Sequence, residues 1–343
     1  VLGGGDRLGL QRWSISGSVQ PPGSFSDQPH WGGEVDYLNT MAAPWQILAT
    51  AGFLDWAAPV KLEGSDITRA EERRTRDAAL SISRVWRDTI STTLAGVYTR
   101  DFDRPPDQPG ADRHLGGPAV SLTWLSGEAT PYTGLRRALL ASASAAYYPR
   151  ALSSFLGDIY DTRGEVDGVL PLPFGARHTL TLQLTGRALL ARDDTRLLQV
   201  GGFTALTALV NGSSSSAPPP TGGDAWFPPN LRFTEYLRGY EDYAITTDRV
   251  AIAQASWRYP LIIDRGTAAT LGFLPASFLR QIDLELFASG AVDRRREVHA
   301  AAGAELSLVL QLVHVPLLLG YQIARRVRDV DALTQLLELG VGL

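Results

Sequence analysis

Length, composition and charge exclude several classes of protein. The chain has 343 residues, a formal net charge of -4 and no cysteine. It therefore lacks disulfides and thiolate metal sites, and the small net charge argues against a nucleic-acid partner. No uncharged apolar stretch reaches about 18 residues, so the chain is not a helical membrane protein. A transmembrane β-barrel stays open, because its shorter strands alternate apolar and polar residues.

Alternation with a period of two residues predicts β-strands along the whole chain. In chain order, the apolar faces of the clearest strands are formed by Ile90, Thr92, Leu94 and Tyr98, by Val120, Leu122 and Trp124, by Leu139, Ala141, Ala143, Ala145 and Tyr147, by Leu180, Leu182 and Leu184, by Ala304, Leu306, Leu308 and Leu310, and by Leu337, Leu339, Val341 and Leu343. Ser, Thr, Gln and Gly are frequent on the opposite faces. We expect the apolar faces to point to lipid and the polar faces to line a lumen.

A soluble β-sandwich would bury the same apolar faces in a core, and alternation alone leaves this alternative open. The predicted strands are about 10–14 residues long, against about 5–6 residues in ordinary globular proteins. Aromatic residues such as Trp86, Trp124 and Trp257 fall near strand ends, as they do in the interfacial girdles of membrane barrels. Both features favour the barrel.

The predicted connections alternate between short and long, which is typical of the periplasmic and extracellular ends of such barrels. Tight turns are predicted at 87–88, 173–177 and 312–316, and long polar loops at 55–74, 101–117 and 192–248. The strand count is about fourteen, an even number as in bacterial single-chain barrels. The sequence therefore predicts a single all-β domain over 1–343, a transmembrane antiparallel β-barrel in the outer membrane of a Gram-negative bacterium.

No pattern in the sequence indicates catalysis or a cofactor. The five histidines are not spaced as metal ligands with one another, and G-x-S-x-G, Walker and H-E-x-x-H motifs are absent. We predict that the protein is not an enzyme and binds no metal or cofactor. The charge runs at 71–74 and 293–296 are interpreted as solvated loop charges that face lipopolysaccharide.

The most specific local feature is the tetrad Leu237, Arg238, Gly239 and Tyr240, near the end of the longest predicted loop. A strand ending in Trp-Arg-Tyr-Pro-Leu at 257–261 follows, and the pattern predicts about five strands up to the C-terminus. Over roughly residues 226–343 the chain resembles the superfamily of outer-membrane assembly factors that includes BamA, TamA and the two-partner secretion transporters. Barrels of that family usually have about sixteen strands, so we expect about 14–16 here.

The resemblance implies that a long extracellular loop, about 192–247, folds into the lumen as a lid that carries the tetrad. Gly239 lets the backbone turn tightly, and the guanidinium of Arg238 offers five donors to carboxylates or carbonyls. In the family, a Glu and an Asp on the two following strands meet this Arg. Ser256 and Ser289 stand at those two positions here.

Other polar residues share the predicted inner face and are candidates to replace the missing acids. Asp283 and Glu285 lie on the same face as Ser289, and Arg258 belongs to the motif at 257–261. We predict that Glu285 is the substitute partner of Arg238.

The resemblance also implies a function, which is insertion or translocation of proteins through a lateral seam between the first and last strands. The corresponding segments are 8–19 and 334–343, with Leu8, Gly9, Gly17, Gly340 and Gly342 as candidate seam residues, since glycine weakens a strand. Expected partners are the bilayer, lipopolysaccharide, client outer-membrane or secreted proteins, and accessory subunits. No signal peptide opens the sequence, so we expect a periplasmic domain to precede Val1. The alternative is a passive pore or a membrane anchor for such a domain.

Overall fold

The protein is almost entirely β-structure. A computed structural model describes residues 2–20, 29–61, 68–87, 89–104, 111–130, 134–172, 178–191, 198–201, 233–240, 244–263, 277–312, 315–327 and 333–341. The strands are β1 (Leu2–Gly5), β2 (Gln11–Gln20), β3 (His30–Asn39), β4 (Trp45–Lys61), β5 (Thr68–Trp86), β6 (Ile90–Arg104), β7 (Ala111–Thr130), β8 (Gly134–Tyr148), β9 (Ile159–Pro171), β10 (Thr179–Ala191), β11 (Leu198–Gly201), β12 (Phe233–Tyr236), β13 (Ile245–Thr247), β14 (Arg249–Ile263), β15 (Ser277–Asp293), β16 (Val298–Leu312), β17 (Val315–Arg326) and β18 (Leu333–Val341). One 3₁₀ turn, Arg150–Leu152, joins β8 to β9. In this described part, no helix has the length and hydropathy needed to cross a membrane.

Fifteen strands form one large antiparallel sheet, in the order β1 to β10 followed by β14 to β18. Each strand of this sheet pairs with its neighbour in sequence, except that β14 lies beside β10. The strands β11, β12 and β13 form a separate sheet, and we call them, together with 237–240, the lid. The edges of the sheet are β1 and β18, which are not hydrogen-bonded to each other in the described residues. The predicted all-β fold is confirmed, and the large sheet has a strand count within the expected range.

The two faces of the large sheet reverse the usual burial pattern of a soluble protein. Leu94, Leu122 and Leu184 are 59%, 50% and 57% exposed, as predicted for the outer face. Polar side chains are buried on the inner face, among them Asp283 and Glu305. Such an inverted arrangement suits a wall that faces hydrocarbon outside and polar groups inside.

A small three-stranded sheet of lid residues lies against the inner face. Its order is β12-β11-β13, with β11 parallel to β12 and antiparallel to β13. Leu198, Val200 and Leu237 are fully buried there, in one apolar cluster with wall residues such as Leu189 and Val250. Burying each such side chain contributes about 1.5–3 kcal/mol. The inner face is therefore apolar where the lid sheet contacts it, which the alternation did not predict.

Two of the predicted long loops are largely strand. The β4–β5 hairpin extends to the pair Lys61↔Thr68, and β6 and β7 extend to the pair Asp103↔Ala111. Backbone pairing continues beyond the segments with alternating apolar residues, because ladder hydrogen bonds do not require apolar side chains. The predicted tight turns at 87–88 and 312–316 agree with the strand ends, whereas 173–177 lies outside the described residues.

Candidate functional site

The tetrad forms a turn directly after β12. The amide of Leu237 donates to the carbonyl of Gly201, with N and O 2.8 Å apart, and the amide of Tyr240 donates to the carbonyl of Leu237 at 3.4 Å. Gly239 has a φ of 84°, a left-handed conformation that residues with a Cβ avoid. This turn directs the side chain of Arg238 toward the inner wall.

The guanidinium of Arg238 contacts three consecutive wall strands. Its Nη1 donates to Glu285 on β15 and its Nη2 to Glu305 on β16, while Nε donates to Oε1 of Gln322 on β17 at 2.9 Å. Its carbon Cζ lies 4.0 Å from the ring centroid of Phe287, a cation–π distance. We call Arg238 with Glu285, Glu305 and Gln322 the latch.

The latch is buried, and its two carboxylates stabilise the charged form of the Arg238 guanidinium. The side chain of Arg238 is 4% exposed and that of Glu305 is 11% exposed. Burial lowers the pKa of the guanidinium, but the carboxylates of Glu285 and Glu305 more than offset this, so the pKa lies above its ordinary value. The Arg238 side chain therefore stays charged inside the barrel wall.

Strand register aligns the partners of Arg238 in one row. Glu285 is opposite Glu305, and Glu305 is opposite Gln322. In the next row on the same face, Phe287 is opposite Gly303. A Cβ on Gly303 would lie 2.2 Å from the carbonyl oxygen of Ile323 and 2.7 Å from Cζ of Phe287, so a side chain at 303 would clash with the neighbouring backbone and with the ring beneath Arg238.

Gly239 contacts the wall through two alanines. A Cβ built on Gly239 would lie 2.7 Å from Cβ of Ala301 and 3.0 Å from Cβ of Ala324. Both alanines are 2% exposed. The hydroxyl of Ser289 donates to the carbonyl of Arg238 at 2.6 Å, which fixes the backbone beside this contact. The tetrad is thus fitted to the wall by backbone proximity as well as by charge.

Tyr240 completes the docked turn. Its hydroxyl donates to the carbonyl of Ala300 at 3.4 Å, and its ring meets His299 edge-on with centroids 6.1 Å apart. The guanidinium of Arg326 lies 4.7 Å from the Tyr240 ring centroid. The side chains of Arg238 and Tyr240 and the backbone of Gly239 therefore contact β15, β16 or β17.

The structure brings some of the predicted partners to the tetrad and leaves others apart. Glu285 and Ser289 contact Arg238. Asp283, which lies two residues before Glu285 on β15, instead accepts a hydrogen bond from Arg258. Ser256 lies in register with Phe287, and no hydrogen bond joins it to the tetrad in the described part of the chain.

Sequence reasoning missed Glu305 and Gln322 as partners of Arg238. One signal was present, because Glu305 is the only acidic residue between Val298 and Arg326. It occupies an inward position on a strand with no other acidic residue and no Lys or Arg, where an isolated carboxylate needs a cation.

A second charged contact of the lid was also missed. Glu235 on β12 is 5% exposed, and its Oε1 accepts from Nε of Arg163 at 2.9 Å and from Nη1 of Arg187 at 3.0 Å. These two arginines belong to β9 and β10. We call Glu235 with Arg163 and Arg187 the clamp.

One group in the described residues resembles a set of metal ligands. Asp293, Glu297 and His299 at the β15–β16 turn bring one ligand atom each to within 4.8 Å of the others. The turn itself accounts for part of this, because the amide of Glu297 donates to Oδ1 of Asp293 at 2.9 Å. Nε2 of His299 lies 3.9 Å from Oδ2 of Asp293, an ion-pair distance if the histidine is protonated.

The predicted seam residues are distributed differently from the expectation. Leu8 and Gly9 lie in the turn between β1 and β2, where Gly9 has a φ of 68°. Gly17 lies in β2, which pairs with both β1 and β3. Gly340 lies in the edge strand β18, and Gly342 is outside the described residues. The prediction that 8–19 is the first strand is wrong, because the glycine-rich β1 shows no alternation and precedes it.

The strands and the docked lid define a class of protein, an antiparallel β-barrel fold with a loop folded against its inner wall. The particular fold is one found in known structures. The chain is similar to BamA from Haemophilus ducreyi lacking POTRA domains 1-3, with a TM-score of 0.56 and 11% identity over 99% of this chain and 69% of that one. It is also similar to CdiB from Escherichia coli, with a TM-score of 0.62 and 13% identity over 98% of this chain and 57% of that one.

These likenesses confirm the barrel fold that the resemblance implied. The sequence matches no protein-family model, and a search of curated proteins finds no match. The likeness to BamA and CdiB therefore rests on three-dimensional structure.

Proposed function

We propose that this chain is the barrel of an outer-membrane protein that inserts or translocates other proteins in a Gram-negative bacterium. The observation that carries the proposal is the docked tetrad, in which Arg238 contacts Glu285 and Glu305 on the wall strands that follow the lid. The fold shared with BamA and CdiB supports it.

The altered family positions do not remove the latch. Ser256 and Ser289 stand where the resemblance implies a Glu and an Asp. Glu285 and Glu305 provide two carboxylates to Arg238 instead, and Ser289 contacts the backbone of the same residue. Two carboxylates thus meet Arg238 although serines stand at the implied acid positions, which supports use of the lid in this chain.

The outer face supports a position in a bilayer. Leu94, Leu122 and Leu184 on the outer face are 50–59% exposed, and Trp124 and Tyr98 are 42% exposed each. Exposing this much apolar surface to water would be unfavourable, whereas contact with lipid tails removes it from water. Lipid and lipopolysaccharide are therefore expected partners of the outer wall.

The edges of the sheet offer a physical route for handling a client. Edge strands present unpaired amide and carbonyl groups, which can pair with an incoming extended segment. In this mechanism β1 and β18 would template the first strand of a client, and the client's own hydrogen bonding and lipid burial would drive insertion. The lid would hold the wall strands β15–β17, which lie next to β18, in a fixed arrangement.

A reconstitution experiment tests the proposal. The chain in lipid vesicles is mixed with a urea-denatured outer-membrane barrel, and folding of that client is followed by its gel mobility. We expect faster folding than in empty vesicles, and loss of the gain with Arg238→Ala. The matched control is Arg294→Ala, which removes an exposed arginine paired with Asp248. No acceleration, together with ion conductance, would instead favour the passive pore.

A further inference from the structure

On β5 an arginine side chain lies over the rings of two tryptophans. The carbon Cζ of Arg84 is 3.6 Å from the ring centroid of Trp86 and 5.4 Å from that of Trp45, and both are cation–π distances. Trp45 is directly opposite Arg84 on β4, and Trp86 is two residues further along β5. Nε1 of Trp86 also donates to Oγ1 of Thr92 on β6 at 3.1 Å, which orients its ring. We call Arg84 with Trp45 and Trp86 the Arg84 cluster.

The Arg84 cluster is on the outer face of the wall. Ile82 lies two residues before Arg84 and is directly opposite Leu94, which is 59% exposed on that face. Side chains two residues apart on a strand share a face, so Arg84 points outward as well. Trp45 and Trp86 are 39% exposed each. The cluster therefore presents a cation and two aromatic rings to the surroundings of the barrel.

The cluster also lies at the end of the wall opposite to the lid. Connections alternate between the two ends of an antiparallel sheet, so the turn after Trp86 is at the end where β9 joins β10, and not where β10 leads to the lid. An arginine on a lipid-facing wall is far less costly at the edge of the bilayer than at its midplane. The cluster thus suits the headgroup level on the side of the short turns, which is periplasmic in such barrels.

Arg84 lacks a counter-charge in the described part of the chain. Its Nε is buried there without a hydrogen-bond partner, whereas Nη1 and Nη2 are not buried in this way. Exposed arginines elsewhere do have carboxylate partners, since Arg100 pairs with Asp112 and Arg294 with Asp248. A guanidinium stays charged in proteins and offers its donors in a planar fork. Its two terminal nitrogens are therefore available to an anion with several acceptor oxygens.

We propose that the Arg84 cluster binds the phosphate of a phospholipid headgroup in the periplasmic leaflet. Nη1 and Nη2 of Arg84 donate to two phosphate oxygens, in the bidentate arrangement that guanidinium and phosphate form. Trp45 and Trp86 hold the guanidinium in place, and tryptophan is enriched at headgroup level in membrane proteins. The proposal goes beyond the proposed function, because it rests on the bilayer position of the outer wall and not on the handling of clients.

Native mass spectrometry of the detergent-solubilised barrel tests the site through the apparent Kd of the first bound lipid. The probe is phosphatidylglycerol, and diacylglycerol with the same acyl chains is the arm without a phosphate. We expect phosphatidylglycerol to bind about tenfold more tightly, and Arg84→Gln to remove this difference. Arg84→Lys keeps the charge without the planar fork and should lose about threefold in affinity. Heat-dependent gel mobility shows that each variant is folded.

Three controls accompany the measurement. Arg137→Gln removes an exposed arginine of β8, two residues before the outward Leu139, and should leave the Kd unchanged. Glycerol phosphate at the same concentration as the lipid should not displace it, which separates a lipid headgroup from a soluble phosphate. Asp88 lies outside the described residues, so Asp88→Asn tests whether the chain itself supplies the counter-charge, and no change in Kd is expected.

Four results would overturn the proposal. Arg84→Gln could weaken phosphatidylglycerol binding no more than Arg137→Gln does, or diacylglycerol could bind as tightly as phosphatidylglycerol. Displacement by glycerol phosphate would assign the site to a soluble anion, and a rise in affinity with Asp88→Asn would show that an acid of the chain occupies Arg84. The measurement uses no client, so its outcome is independent of the folding assay that tests the proposed function.

Discussion

Replacing Gly239 with alanine should release the lid from β15, β16 and β17. The backbone there has a φ of 84°, which costs a residue with a Cβ about 1–2 kcal/mol. The new Cβ would also lie 2.7 Å from Cβ of Ala301 and 3.0 Å from Cβ of Ala324, and overpacking of this kind costs about 1–3 kcal/mol. The sum is about 2–5 kcal/mol, which corresponds to a roughly thirtyfold or larger increase in the undocked population.

The assay is maleimide labelling of Ser289→Cys in the barrel embedded in lipid. The matched control is Gly186→Ala, because a Cβ on Gly186 meets no atom within 4 Å and should leave the rate unchanged. Adding Ala301→Gly to Gly239→Ala removes the nearer of the two contacts and should restore part of the protection. The reasoning is refuted if Gly239→Ala labels no faster than Gly186→Ala.

Three further predictions concern the latch and use the same reporter. Glu285→Gln and Glu305→Gln should each raise the labelling rate about tenfold to a hundredfold, since a hydrogen bond to a charged group contributes about 1.5–3 kcal/mol; an unchanged rate for one of them would assign the latch to the other. Arg238→Lys should also raise the rate about tenfold or more, because an ammonium cannot replace the planar fork that reaches three wall residues; protection equal to the unchanged chain would show that charge alone suffices. Phe287→Leu should have a smaller effect, about twofold to thirtyfold, from loss of a cation–π contact of about 0.5–2 kcal/mol, and a larger effect than Glu285→Gln would contradict this ranking.

The outer wall could be predicted from the sequence because alternation reports directly on which residues face lipid. Leu182 and Leu184 were expected on the outer face and are 42% and 57% exposed. The extended hairpins at Lys61↔Thr68 and Asp103↔Ala111 could not be predicted in this way. Their side chains are mostly charged or polar, and the backbone pairing that orders them has no signature in hydropathy.

The site could be predicted only in part, because its contacts depend on strand register. Glu285 was expected beside Arg238 from its position on the inward face of one strand. Glu305 reaches the same arginine because register places it opposite Glu285, and a shift of one residue would turn it outward. The clamp could not be predicted for a related reason, since Glu235 contacts Arg163 and Arg187, which lie 72 and 48 positions away in the sequence.

The most direct test of the central claim is photo-crosslinking in cells at the edges of the large sheet. Probes replace Leu2 on β1 and Leu333 on β18, which are 71% and 55% exposed, and a control probe replaces Leu182 in the middle of the wall at 42% exposed. If the chain inserts or translocates proteins, the edge probes should capture unfolded outer-membrane or secreted clients, and the control probe should not. Crosslinks of the edges only to each other would contradict the claim and favour a closed pore.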